Sequence, residues 1–221
     1  MMSNLFSIFD PHSSLNYSLN WMSLIIPLLF FPNMFWFKKS KMFIFWLTIN
    51  NFILKEFNNF KKNNYNNVFM FISILFILLT INFTGLFPYI FTSTSHMSIT
   101  LPLSLSIWLS IMFFYWFKMT KLSFAHLVPL NTPTPLMMFM VLIETISNII
   151  RPLTLAIRLS ANMIAGHLLL CLLGSTGQML NMNLMMFLIL SQILLFMLEL
   201  AVSIIQSYVF MTLISLYSNE L

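Results

Sequence analysis

Long apolar runs alternate with short polar breaks along the chain. The first run covers about 18–37, ends in FFPNMFWF and is followed by KKSK. The second covers about 68–90, VFMFISILFILLTINFTGLFPYI, with Gly85 and Pro88 marking its end. An uncharged link, FTSTSHM, leads to a third at about 98–117, where Trp108, Tyr115 and Trp116 are candidate interfacial anchors. After the Pro-rich loop LVPLNTPTP, a fourth run covers about 136–173. It breaks at GSTGQ, residues 174–178, and a fifth follows at about 182–217. Runs of this length and greasiness predict transmembrane helices.

Two features modify this picture. The stretch from about 42 to 60 mixes large apolar residues with Lys and Asn, which fits a helix lying in the membrane plane rather than crossing it. The last two runs are too long for one straight crossing. At 1.5 Å per residue each reaches roughly 55 Å, against a hydrocarbon core of roughly 30 Å. They must tilt, bend or leave the bilayer, and Pro152 is a natural bend point. The expected fold is all-α: a single membrane domain over 1–221, with about five transmembrane helices and one interfacial helix. The last two helices form a long tilted hairpin.

Composition agrees: 59% of the 221 residues are hydrophobic and 7% are charged, and the mean hydropathy is +0.90. The net charge of +5 matters through its distribution. All eight lysines fall between Lys38 and Lys121, outside the runs. With five crossings they share one face, so the positive-inside rule puts the C-terminus on the synthesis side and the N-terminus opposite. The lysines form no dense basic face with interleaved aromatics, so no nucleic-acid partner is expected. The opening MMSNLFSIFDPHSS lacks a basic n-region and a cleavage pattern, so no targeting peptide is expected. The bias to Met, Phe, Ile and Asn is that of an AT-rich, organelle-like coding sequence.

The candidate chemistry lies within the last two runs. Glu144, Arg151 and Arg158 recur every seven residues, so on a helix each steps back only about 20°. Ser147, Asn148, Thr154 and Asn162 fall on or near the same seam. Gln192, Glu199 and Gln206 repeat at seven in the last run, with Ser203 between them. A charge near the bilayer centre costs about 2.5–3.5 kcal/mol on insertion scales, and such groups face a protein interior or water. Two facing polar seams would line a water path; the alternative is a structural network that only joins two helices. His167 is nine residues from Arg158, about 180° around an ideal helix, and so off that seam. Gly166 beside it permits close approach. His12, His96 and His126 read as solvated loop or helix-end residues. The lone cysteine, Cys171, reads as a small buried hydrophobe. No metal-ligand spacing, phosphate loop, GxGxxG or GxSxG with a plausible partner occurs, so no metal, cofactor or nucleotide site is expected in this chain.

The stretches ETISNIIRP, RLSANMIAGH and IIQSYVF resemble subunit a of the rotary F-type ATP synthase in its mitochondrially encoded form, and MMSNLFSIFDP is similar to arthropod members. The resemblance covers nearly the whole chain. It implies a proton-translocating stator subunit in the mitochondrial inner membrane, with the N-terminus on the intermembrane-space side and the C-terminus in the matrix. Its partners would be a rotating ring of c subunits, other stator subunits, the lipid bilayer and the transported proton. Arg158 matches the arginine facing the rotor carboxylates, and Glu144 matches a proton-path carboxylate. His167 and Glu199 match a pair of path positions that is often swapped in bacterial relatives. Asn162 and Gln206 match polar positions near the arginine, and Arg151 takes a secondary role. Ser160 and Asn131 depart from the common threonine and glycine. On this reading two aqueous half-channels are separated by Arg158, which cannot deprotonate and so cannot relay. A subunit of a redox-driven pump or antiporter would carry lysines within its spans, which this chain does not. A purely structural scaffold would tolerate a neutral substitute at Arg158.

Overall fold

The computed structural model describes residues 5–12, 17–27, 38–60, 65–118, 120–128, 133–177 and 181–220. The elements are α1 (Lys41–Phe60), α2 (Tyr65–Gly85), α3 (Met97–Lys118), α4 (Thr120–His126), α5 (Met137–Thr176) and α6 (Met182–Glu220). Short 3-10 turns lie at Leu5–Phe9, Leu19–Leu24, Ser93–Ser95 and Thr134–Leu136. The described residues form no β-strand, so the architecture is all-α.

Among the described residues, three helical stretches are long and apolar enough to cross a membrane: Met97–Lys118, Met137–Thr176 and Leu184–Leu216. Phe69–Gly85 is a shorter apolar helix. The expected first span is described only to residue 27, where Leu19–Leu24 is a 3-10 helix, and residues 28–37 lie outside the described residues. The second run stops being helical at Gly85 rather than near 90. Residues 86–89 form turns, with Tyr89 at φ 70°, because Pro88 has no N–H to continue a helix. The seven-residue α4 was not expected; it separates α3 from the Pro-rich loop.

The expected interfacial stretch is α1. Its Trp46, Ile49 and Ile53 recur at helical spacing and pack on the core, with Trp46 edge-on to Phe76 at 4.5 Å. The two long C-terminal runs are single helices of 40 and 39 residues. Pro152 lies inside α5 without ending it.

The most extensive helix contacts are α2 with α6 and α3 with α5. Phe71, Leu75 and Leu78 of α2 meet Leu155 and Leu159 of α5 and Phe210, Met211 and Ile214 of α6. The buried face of α6 also carries Ser203, Ser207 and Ser215. Small residues let helix backbones approach closely in a bilayer. Each of these hydroxyls donates to its own helix, for example Ser207 Oγ to the Ile204 carbonyl at 2.8 Å, and needs no partner across the interface. Met211, 1% exposed, seals this junction. Met211→Ala should cost about 2–5 kcal/mol, read as a lower thermal unfolding midpoint in detergent; an unchanged midpoint would show the junction is not a stability centre.

The outside is apolar. Ile146, Leu153 and Ile157 of α5 and Ile193, Met197 and Ile204 of α6 are exposed. Surface of this kind requires lipid or another subunit against it.

Candidate functional site

Helix α5 has two working faces. Its inward side buries Leu155, Ala156, Leu159, Ser160 and Met163. Its outward stripe runs Thr154, Arg158, Ala161, Ala165, Leu169, all exposed and spaced four, three, four and four residues apart. Arg158 therefore stands near the middle of a 40-residue helix on its outer surface, next to exposed Leu153 and Ile157. Flanking alanines leave room for another surface to come close. A permanent cation here has no reason to be retained for packing, because it is not in the core.

His167 occupies the opposite side, as the nine-residue spacing requires. It is half-buried, and its ring interacts with the backbone carbonyl of Gly85 at the end of α2. Its Nε2 is buried without a hydrogen-bond partner in the protein. Glu199 of α6, 7% exposed, lies directly against the neighbouring residue, Gly166. A Cβ at Gly166 would sit 2.8 Å from Glu199 Cδ and 2.9 Å from Oε1. Both carboxylate oxygens of Glu199 are enclosed without a protein partner. An enclosed carboxylate in that position needs water or a proton to satisfy it.

A cavity of about 920 Å³ adjoins His167 and reaches Leu200, the residue after Glu199. Its polar wall includes His167, Cys171, Gln192 and Asn20, and its apolar wall includes Phe91 and Phe196. Cys171 is thus half-buried at a cavity wall rather than fully packed.

The hairpin register follows from three close approaches. Glu199 abuts Gly166, Gln192 Nε2 lies 3.8 Å from a Cβ at Gly174, and Leu188 Cδ1 lies 3.7 Å from one at Gly177. Carried further along the two helices, this antiparallel register sets Gln206 level with Leu159, beside Arg158 and one turn from Asn162. The seam residues therefore separate into two levels. Arg158, Asn162 and Gln206 form one; His167, Glu199 and Gln192 form the other, about 13 Å along the helix axis.

The remaining seam positions are Glu144, Ser147, Asn148 and Arg151, all half-buried in the first half of α5. None of them lines the cavity. Ser147, Thr154 and Ser203 donate to the carbonyls of Glu144, Arg151 and Leu200 at 2.8, 2.9 and 2.8 Å. Their protons are committed to the helix, which leaves each oxygen only an acceptor's role.

A further polar group escaped the sequence reading. Asn82, Thr92, Ser93, Thr94, Ser95, Thr100 and Ser104 are all buried where α2, the Ser93–Ser95 turn and α3 meet. The available signal was an asparagine in an otherwise greasy helix and the hydroxyl-rich stretch FTSTSHMSIT.

An all-α chain of long apolar helices, with an outward arginine on one and an enclosed carboxylate on the next, has the make-up of an ion-translocating membrane subunit. Comparison with known proteins gives the same answer at finer grain. A family model described as ATP synthase A chain matches residues 15–219. ATP synthase subunit a of Drosophila melanogaster is 54% identical over all of this chain and 99% of the relative. That of Locusta migratoria is also 54% identical, and that of Aedes aegypti 53%, with the same coverage. The chain belongs to the ATP synthase A chain family. It is a proton-translocating subunit of the membrane sector of F-type ATP synthase.

Proposed function

We propose that the two levels of the hairpin divide the labour of proton transport: the Glu199–His167 level feeds protons in and Arg158 turns them round. The c-ring and other ATP synthase subunits are the partners that family membership implies, in the mitochondrial inner membrane. One observation carries the reading: Arg158 faces outward while Glu199 and His167 face inward on the same hairpin. Protons reaching the cavity are taken up at His167 and Glu199 and delivered to a rotor carboxylate passing over the outer stripe. That carboxylate gives up its proton again beside Arg158. The nearby guanidinium favours the ionised carboxylate and repels hydronium. Asn162 and Gln206 order water at that level. Glu144, with Ser147 and Asn148 on its turn and Arg151 a helical step beyond, provides the outlet. A membrane potential supplies about 2.3 kcal/mol per proton per 100 mV.

The sidedness of the lysines supports an N-terminus in the intermembrane space and a C-terminus in the matrix. Lys118 is exposed at the end of α3 and Lys121 at the start of α4, and Lys118 Nζ lies 4.5 Å from the Phe114 ring centroid, as an anchor at a membrane edge would. Five crossings, with the first over about 18–37, satisfy this arrangement.

The test of the outward face is oxidative cross-linking of the assembled complex, starting from a chain with Cys171→Ser. Ala161→Cys and Ala165→Cys should cross-link to rotor subunits carrying a cysteine near their carboxylate. Ser160→Cys, on the buried face, should not. Cross-linking from Ser160 in place of Ala161 would reverse the assignment of the faces.

A further inference from the structure

Several polar atoms at the α2–α3 junction have no partner in the protein. They are Asn82 Nδ2 and Oδ1, Thr94 Oγ1, Thr100 Oγ1 and His96 Nε2. Asn82 is 1% exposed, Thr94 2% and Thr100 4%. An unsatisfied buried polar group costs about 1–3 kcal/mol, so five such atoms together are too costly to leave dry. Their neighbours are otherwise satisfied: Thr92 donates to Ser95 Oγ at 3.1 Å, and Ser95 to the Thr92 carbonyl at 2.7 Å. Asn82 is on α2, Thr94 on the Ser93–Ser95 turn, Thr100 on α3 and His96 between the last two; the turn packs against α2, α3 and α5.

His96 is held in a particular way. Its ring stacks on Phe91 at 5.2 Å and 28°, and lies 5.4 Å from the Trp21 ring. Trp21 in turn meets Phe91 edge-on at 5.5 Å. The His96 carbonyl accepts from the N–H groups of Ile99 and Thr100, so the backbone is pinned at the start of α3. An aromatic clamp of this kind fixes the ring plane while leaving Nε2 unpaired on the buried side. The clamp is also joined to the site described above. Phe91 lines the same cavity as His167. Thr92 Cγ2 and Met163 Cε lie 3.3 and 3.4 Å from a Cβ at Gly85, the residue whose carbonyl meets the His167 ring.

We propose that His96 is a further proton-transferring residue, standing upstream of His167 and Glu199 in a hydrated vestibule bounded by Asn82, Thr94 and Thr100. This rests on the assignment of His167 and Glu199 to the inlet. A proton accepted by the neutral imidazole makes the imidazolium. The buried Nε2–H then passes a proton to an inward water, and the ring is neutral again: one proton enters and one leaves. Two ring nitrogens in a fixed plane make histidine suited to this, whereas the flanking hydroxyls can only order the water between.

The test uses the assembled complex in liposomes, with proton-driven ATP synthesis and flux measured from the face bearing the Ser93–Ser95 turn. His96→Ala leaves a ring-sized gap beside Trp21 and Phe91. Flux should fall by about tenfold, below the contribution of a positioned acid–base group in a reaction centre. Imidazole added on that face should restore it, while pyrazole, of nearly the same shape but far less basic, should not. Unchanged flux, or equal rescue by both azoles, would overturn the proposal, because a packing role needs only the shape. Should His96→Ala fail to assemble, His96→Gln serves: a comparable loss supports the proposal and full flux overturns it. Arg158→Gln in parallel separates the two readings. Lost pumping there with normal His96→Ala removes only the vestibule relay, whereas normal pumping in Arg158→Gln removes the function on which it rests.

Discussion

Arg158→Gln should abolish ATP-driven acidification of liposomes while leaving the complex assembled. Arg158 is exposed on the outer stripe of α5 and outside the buried core, so its loss opens no cavity. Glutamine keeps a polar side chain of related length but removes the fixed charge. A cation beside a carboxylate changes its ionisation equilibrium by about ten- to a thousandfold, and that is the scale on which proton release from the rotor should suffer. On the proposed mechanism the same charge bars hydronium from passing directly between the two levels of the hairpin. Passive proton flux under an imposed potential should therefore rise as coupled pumping disappears. Pumping near the native rate would make the arginine structural. Loss of pumping with no rise in leak would retain its coupling role and remove its blocking role.

Gly166→Ala should reduce proton flux by about tenfold or more, with little effect on assembly. The added Cβ would meet Glu199 Cδ at 2.8 Å, well inside ordinary contact. The clashing atoms are the far end of a flexible side chain, so the helices need not separate; the carboxylate swings away instead. A misplacement of about 1 Å at a reacting group can cost a hundredfold in rate. The shorter Glu199→Asp, introduced into Gly166→Ala, should recover part of the flux by making room. If Gly166→Ala transports normally, the close approach of Glu199 to α5 has no part in the path.

The two long C-terminal helices and the sides of them that the polar residues take were legible in the sequence because both rest on periodicity. Arg158 at seven-residue spacing marks a seam, and the nine-residue step to His167 foretells that the two face opposite ways. What periodicity could not supply was register between helices. Glu199 and Gly166 are 33 positions apart in sequence, and their contact depends on how the hairpin closes. The enclosure of His96 was illegible for a related reason. As a helix-start residue in a polar link it reads as solvated, and only the packing of Trp21 and Phe91 around it shows otherwise. The short α4 and the early end of α2 depend on local turn chemistry, which an apolar run conceals.

The serines of α6 that bond to their own helix bear on biogenesis. A hydroxyl satisfied by the preceding turn is already at rest when its helix enters lipid alone, so Ser203, Ser207 and Ser215 impose little delay on insertion. Glu199 differs: its carboxylate finds its enclosure only against Gly166 of the preceding helix. The last helix thus satisfies its hydroxyls as soon as it forms, but its carboxylate reaches its final surroundings only once the two helices have closed on each other.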